Sequence, residues 1–99
     1  MRVVITGARG MLGQDLAQKF STSHDVISLS KGEMDITSEN LVRTKMRQIA
    51  PDVILHAAAF TRVDDAETNR EKSFQINAQG TRNVAVAAAE CQASLVYYS

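Results

Sequence analysis

The feature that most limits how this chain can fold lies in its first thirteen residues. A β-branched apolar run, Arg2 to Thr6 ("RVVIT"), leads directly into "GARGMLG", with glycine at positions 7, 10 and 13. Glycine surrenders more backbone freedom on ordering than any other residue, so its repetition here needs a reason. Leu12, Leu16, Ala17 and Phe20 then recur at helical spacing, which makes the local order strand, glycine turn, helix. In that setting G-x-x-G-x-x-G reads as a phosphate-binding turn. Gly7 permits the tight bend, Gly10 lets a pyrophosphate approach the backbone, and Gly13 lets helix pack on strand. The helix N-terminus adds free N–H groups and a partial positive charge. The competing reading is a turn that is merely glycine-rich. A P-loop is excluded, because Gln14 follows Gly13 where a Lys-Ser/Thr pair is required.

The alternation continues along the chain. "DVISL" (Asp25 to Leu29) is a second strand. Leu41, Val42, Lys45, Met46 and Ile49 predict a helix that must end before Pro51. "DVILHA" (Asp52 to Ala57) is a third strand, a long alanine-rich helix runs from about Arg70 to Cys91 with Asn69 as its cap, and "SLVYY" (Ser94 to Tyr98) is a fourth strand. Apolar strands alternating with helices imply a parallel sheet covered on both faces and joined by right-handed crossovers. The expected fold is therefore α/β, part of a Rossmann-type doubly wound sheet with four strands in the order 3-2-1-4. In that arrangement the fourth strand is an apolar edge, which invites self-association.

At 99 residues there is room for one small domain, and a composition of 44% hydrophobic but 5% aromatic residues suits an aliphatic core. Lys+Arg and Asp+Glu both number 11, so no charge excess points to nucleic acid or to an anionic membrane. The longest apolar run, Val84 to Ala89, is too short to span a bilayer, and the apolar stretch after Arg2 is too short for a signal peptide. Cys91, the single cysteine, has no internal disulfide partner, which points to the cytoplasm. It reads either as a small buried hydrophobe or as a reactive thiol.

Cofactor preference is read at the end of the second strand. Ser30 stands where an acid would bond the adenosine ribose 2′-hydroxyl of NAD. A hydroxyl followed by the cation of Lys31 suits the 2′-phosphate of NADP instead, and Arg9 in the glycine turn can swing over the same phosphate. Lys31 is equally readable as a solvated side chain. NADP(H) is favoured and NAD(H) remains possible.

Four further stretches carry a family resemblance: "MDIT" (Met34 to Thr37), "PDVILHAAAFTRVDDAE" (Pro51 to Glu67), "NAQGTRN" (Asn77 to Asn83) and "LVYYS" (Leu95 to Ser99). With the glycine turn, they resemble the N-terminal part of the dTDP-4-dehydrorhamnose reductases, extended-type members of the short-chain dehydrogenase/reductase superfamily that serve dTDP-L-rhamnose synthesis. "HAAAFTRVDDAE" is the most discriminating piece. The resemblance implies that Gly10, Met11 and Leu12 lie along the cofactor pyrophosphate, with Ser30 at the adenosine ribose. It implies that Asp35 takes the exocyclic amine of the adenine while Ile36 packs on the ring. Asp35 also reads as a helix N-terminal cap. Ala57, Ala58, Ala59, Phe60 and Thr61 would line the crevice after the third strand, and Tyr98 would border the nicotinamide. Tyr97 and Tyr98 face opposite sides of a strand, so at least one serves packing only.

Departures from the family pattern are His56 for a common asparagine, Phe60 for a frequent tyrosine and Ser30 for a frequent acid. A histidine closing a buried strand is more often a satisfied core residue than a base. The family's chemistry is hydride delivery to the C4 keto group of a dTDP-sugar, with a proton from the tyrosine of Tyr-x-x-x-Lys. These 99 residues contain no Tyr-x-x-x-Lys, and Ser99 matches only the first residue of the family's Ser-Thr-Asp. The chain is therefore expected to be a cofactor-binding portion that is inactive alone, lacking the catalytic motif and the substrate domain. Two alternatives stay open: a non-catalytic NADP-binding regulatory module, or a portion of another nucleotide-sugar epimerase or dehydratase.

Overall fold

Val3, Val4 and Ile5 are stiff at Cβ and suit an extended strand, and all three are buried in β1 (Arg2–Thr6). The computed structural model describes residues 1–59 and 70–98. After β1 come α1 (Met11–Phe20), β2 (Asp25–Leu29), α2 (Glu39–Ile49), β3 (Val53–His56), a 3₁₀ turn (Ala57–Ala59), α3 (Arg70–Glu90) and β4 (Ser94–Tyr97). The expected Asn69 cap lies outside the described residues. α2 ends where the sequence requires: Ala50 turns left-handed (φ 52) and Pro51 follows.

All pairings in the sheet are parallel, and alternation along the strands divides the core in two. On one face Val4 and Ile54 pack with Val42 and Met46 of α2 and with Val84, Ala87 and Ala88 of α3. On the other, Val3, Ile5 and Leu55 pack with Leu16 of α1. Arg43 of α2 grips Glu90 of α3 through two hydrogen bonds of 2.8 and 2.7 Å, tying the two helices that share a face. No helix among the described residues is long and apolar enough to cross a membrane.

The doubly wound parallel class is as expected; the strand order is not. The sheet runs β2-β1-β3-β4, with β1 paired directly to β3, rather than 3-2-1-4. After β2 the chain turns through residues 30–38, runs through α2 and returns to the free side of β1 rather than to that of β2. Burial accounts for the difference. Ile54, Leu55 and His56 of β3 are buried, so β3 needs a neighbour on each side, whereas Val26, Ile27 and Ser28 of β2 are only half-buried and tolerate an edge. β4 lies at the other edge, with Val96 and Tyr97 exposed.

Candidate cofactor-binding site

The connection through α1 winds one way from β1 and the connection through α2 winds back to its other side. This reversal places a crevice between β1 and β3, outside the carboxyl ends of the strands. Gly7 begins the turn with φ 70, and a Cβ there would lie 2.8 Å from the Ala58 backbone. A Cβ on Gly13 would overlap the carbonyl oxygen of Gly7. These two glycines are required by the protein's own packing. Gly10 differs: it is exposed, and its nearest contact would be the Gly7 carbonyl oxygen at 3.5 Å. The open position in the turn faces outward.

α1 begins at Gly10 with no side chain capping it. Its first helical bond runs from the Gln14 amide to the Gly10 carbonyl at 3.0 Å, which leaves the amides of Met11, Leu12 and Gly13 without intrahelical acceptors. The Gln14 side chain donates to the Arg9 carbonyl at 2.9 Å and braces the turn. Such an end attracts an anion through its N–H groups and its dipole.

Behind the turn lies a buried polar chain. The Ala58 amide donates to Thr6 Oγ1 at 3.1 Å, and Thr6 Oγ1 lies 2.8 Å from His56 Nδ1. His56 Nε2 lies 3.0 Å from Thr81 Oγ1 on α3. Both ring nitrogens are thus partnered by hydroxyls, each able to donate or accept, so the neutral ring is satisfied in either tautomer. Burial pushes the His56 imidazole down to about 4, so it is neutral at pH 7. His56 is a fully paired core residue behind the 3₁₀ turn, which the Ala58–Thr6 bond holds against β1.

Beside the turn, the Ala8 amide bonds the Leu29 carbonyl at 3.3 Å, which sets the end of β2 against it. Ser30 is buried, and its N–H and Oγ–H both donate to Glu33 Oε1, at 3.0 and 2.9 Å. These bonds from Ser30, backbone first, hold the Glu33 carboxyl below the usual carboxylate range; Arg9 and Lys45 add to the effect. Lys31 is exposed. The Asp35 carboxylate accepts from the Thr37 hydroxyl and amide at 2.7 and 3.0 Å, and these bonds lower its pKa. Ile36 lies against Gly80 of α3, where a Cβ would strike it, and its carbonyl accepts from Asn83 Nδ2 at 2.9 Å.

Gly7, Arg9, Gly10, Met11, Leu12, Gly13, Ser30, Lys31, Ala57, Ala58 and Ala59 thus cluster at the carboxyl ends of β1, β2 and β3, with Asp35 and Ile36 on the following loop. Phe60 and Thr61 lie outside the described residues. Tyr98 follows β4, separated from β1 by β3, and packs half-buried against the α1-side core.

The RmlD substrate binding domain family matches the chain across residues 1–99. The chain belongs to the RmlD family. It is similar to the dTDP-4-dehydrorhamnose reductase of Mycolicibacterium smegmatis, 43% identical over 100 residues that cover 99% of this chain and 30% of that protein. The crystal structure of the Bacillus anthracis dTDP-4-dehydrorhamnose reductase in complex with NADP superimposes with a TM-score of 0.87. Its identity is 43%, covering 97% of this chain and 35% of that one. The NAD complex of the Thermus thermophilus UDP-glucose 4-epimerase, at 22% identity and a TM-score of 0.84, shares the fold. The chain spans about a third of the length of these relatives.

Within this RmlD-family chain, several residues that shape the site were not singled out by sequence reasoning. Thr6 and Thr81 are ordinary residues on a strand and a helix until His56 lies between them. Glu33 had a local signal, since Ser30-Lys31-Gly32-Glu33 fits the S-x-x-E spacing of a capping box.

Proposed function

We propose that this chain is the cofactor-binding portion of an NADP-dependent reductase that delivers hydride to the C4 keto group of a dTDP-sugar. The observation that carries the reading is the turn at the switch point. Gly7 and Gly13 are closed off by packing, while Gly10 and the uncapped amides of α1 stand open to an anion. The bound nicotinamide would supply the hydride. Gly10, whose own amide is bonded to the Gly7 carbonyl, would let the pyrophosphate approach, and the amides of Met11 and Leu12 with the helix dipole would hold it. Ser30, Lys31 and Arg9 would meet the 2′-phosphate. Asp35 keeps one carboxylate oxygen free of Thr37 for the adenine amine, and Ile36, braced by α3, would give the ring an apolar floor. The alanines after β3 would leave the crevice unblocked, with Phe60, Thr61 and Tyr98 toward the nicotinamide side. The dTDP-sugar substrate class rests on the kinship with the RmlD family. No Tyr-x-x-x-Lys occurs in these 99 residues, so cofactor binding and not turnover is proposed for them.

Titration of the chain with NADPH and NADH, followed by reduced-nicotinamide fluorescence, tests this directly. Saturable binding, tighter for NADPH, is expected; failure to bind either nucleotide would overturn the proposal.

A further inference from the structure

The end of β2 holds an arrangement that a simple match to NADP does not explain. Ser30 offers two donors beside the glycine turn, where the 2′ position of an adenosine ribose belongs. Both are already taken by Glu33 Oε1, at 3.0 and 2.9 Å, so an anion of the protein's own occupies that position. Arg9 from the turn and Lys45 from α2 also favour the charged carboxylate, behind the Ser30 bonds. A 2′-phosphate would need the same Ser30 donors. The carboxylate is exposed on a short turn, with the Glu33 and Met34 amides bonded to the Ser30 carbonyl at 3.0 and 2.9 Å. Its side chain can therefore rotate outward while the turn persists.

We propose that Glu33 sets the preference between NADP and NAD, acting as a resident anion that a 2′-phosphate must displace and to which a 2′-hydroxyl can donate. The inference rests on the cofactor reading above and deepens it. Both Ser30 bonds use Oε1, which leaves Oε2 to accept from a ribose hydroxyl. With NADP, two like charges cannot share the Ser30 donors, so Glu33 turns out to water and frees those donors for the phosphate. The residue narrows an NADP preference that Ser30, Lys31 and Arg9 would otherwise make wide.

The decisive probes are 2′,5′-ADP and 5′-AMP, which differ only in the 2′-phosphate, titrated calorimetrically into the 99-residue chain. Glu33→Gln keeps an oxygen for the Ser30 donors and removes the charge. Its affinity ratio in favour of 2′,5′-ADP should rise about tenfold over the unmodified chain, with 5′-AMP changed less than about threefold. Glu33→Ala, which removes both charge and acceptor, should shift the ratio the same way. A ratio unmoved by Glu33→Gln, or moved only by Glu33→Ala, would overturn the proposal and leave Glu33 as a turn cap. Binding of neither probe to the unmodified chain would overturn the cofactor reading, and this inference with it. A thermal melt of each variant confirms that the compared chains are folded.

Discussion

At its amino end β1 is held by charges in water; at its carboxyl end it is held by neutral groups away from water. Arg2 donates its amide to Asp52 at 2.7 Å, its Nε to Asp25 at 3.1 Å and its Nη1 to the Ile49 carbonyl at 2.6 Å. The Arg2 and Asp25 side chains are 45% and 63% exposed. At the other end, Thr6 and His56 are 1% and 0% exposed and join β1, β3 and α3 without a formal charge. Both ends bind β1 to its neighbours. Exposed ion pairs are cheap to lose because water and salt replace them, whereas a buried polar group left unpaired costs its full desolvation. The carboxyl end, where the candidate site lies, is therefore the end with no slack.

The largest expected effect is at the glycine turn. Gly13→Ala places a Cβ on the Gly7 carbonyl oxygen, backbone against backbone, and should cost more than about 3 kcal/mol in urea unfolding. Gly10→Ala meets only one atom at 3.5 Å, and as a helix cap it should cost less than about 1 kcal/mol. Equal losses at the two positions would break the distinction between packed and open glycines.

Next comes pH. The folded pKa of His56, about 4, lies below its ordinary 6.5, so the unfolded chain binds more protons between these values. The stability that His56 contributes is complete above pH 6.5 and is lost as pH falls toward 4, by about 3 kcal/mol. Glu33 and Glu90 are held below 4.5 and Asp35 below 3.8, so their losses come at lower pH. Urea unfolding between pH 7.5 and 4.5 checks the slope, which His56→Asn should flatten. A profile that is level through this window in the unmodified chain would mean that the ring is not sealed from solvent.

The smallest effect sharpens the contrast from the amino end. Asp25→Asn should cost no more than about 0.5 kcal/mol at low salt and nothing measurable in about 0.5 M sodium chloride. A loss approaching that of a buried group would show that the Arg2 cluster is a real determinant of the sheet.

The sequence by itself determined whatever depends on neighbours along the chain. Branched apolar runs specified the strands, 3.6-residue spacing and Pro51 specified the helices, and the run from Thr6 to Gly13 specified a turn in which Gly7 and Gly13 are closed by packing. Only the tertiary structure decided what depends on partners far apart. Adjacency of β1 and β3, about fifty residues apart in sequence, followed from how β2 and β3 divide the available burial, which no single strand's pattern states. The sequence marked His56 as a satisfied core residue, but its partners, Thr6 from another strand and Thr81 from a helix, were set only by the fold. Glu33 came to lie on Ser30 because the segment after β2 folds as a turn closed on the Ser30 carbonyl. Local periodicity is a property of a short window, but pairing and burial are chosen by competition among all the elements at once, and that competition settled the strand order and the polar contacts behind the site.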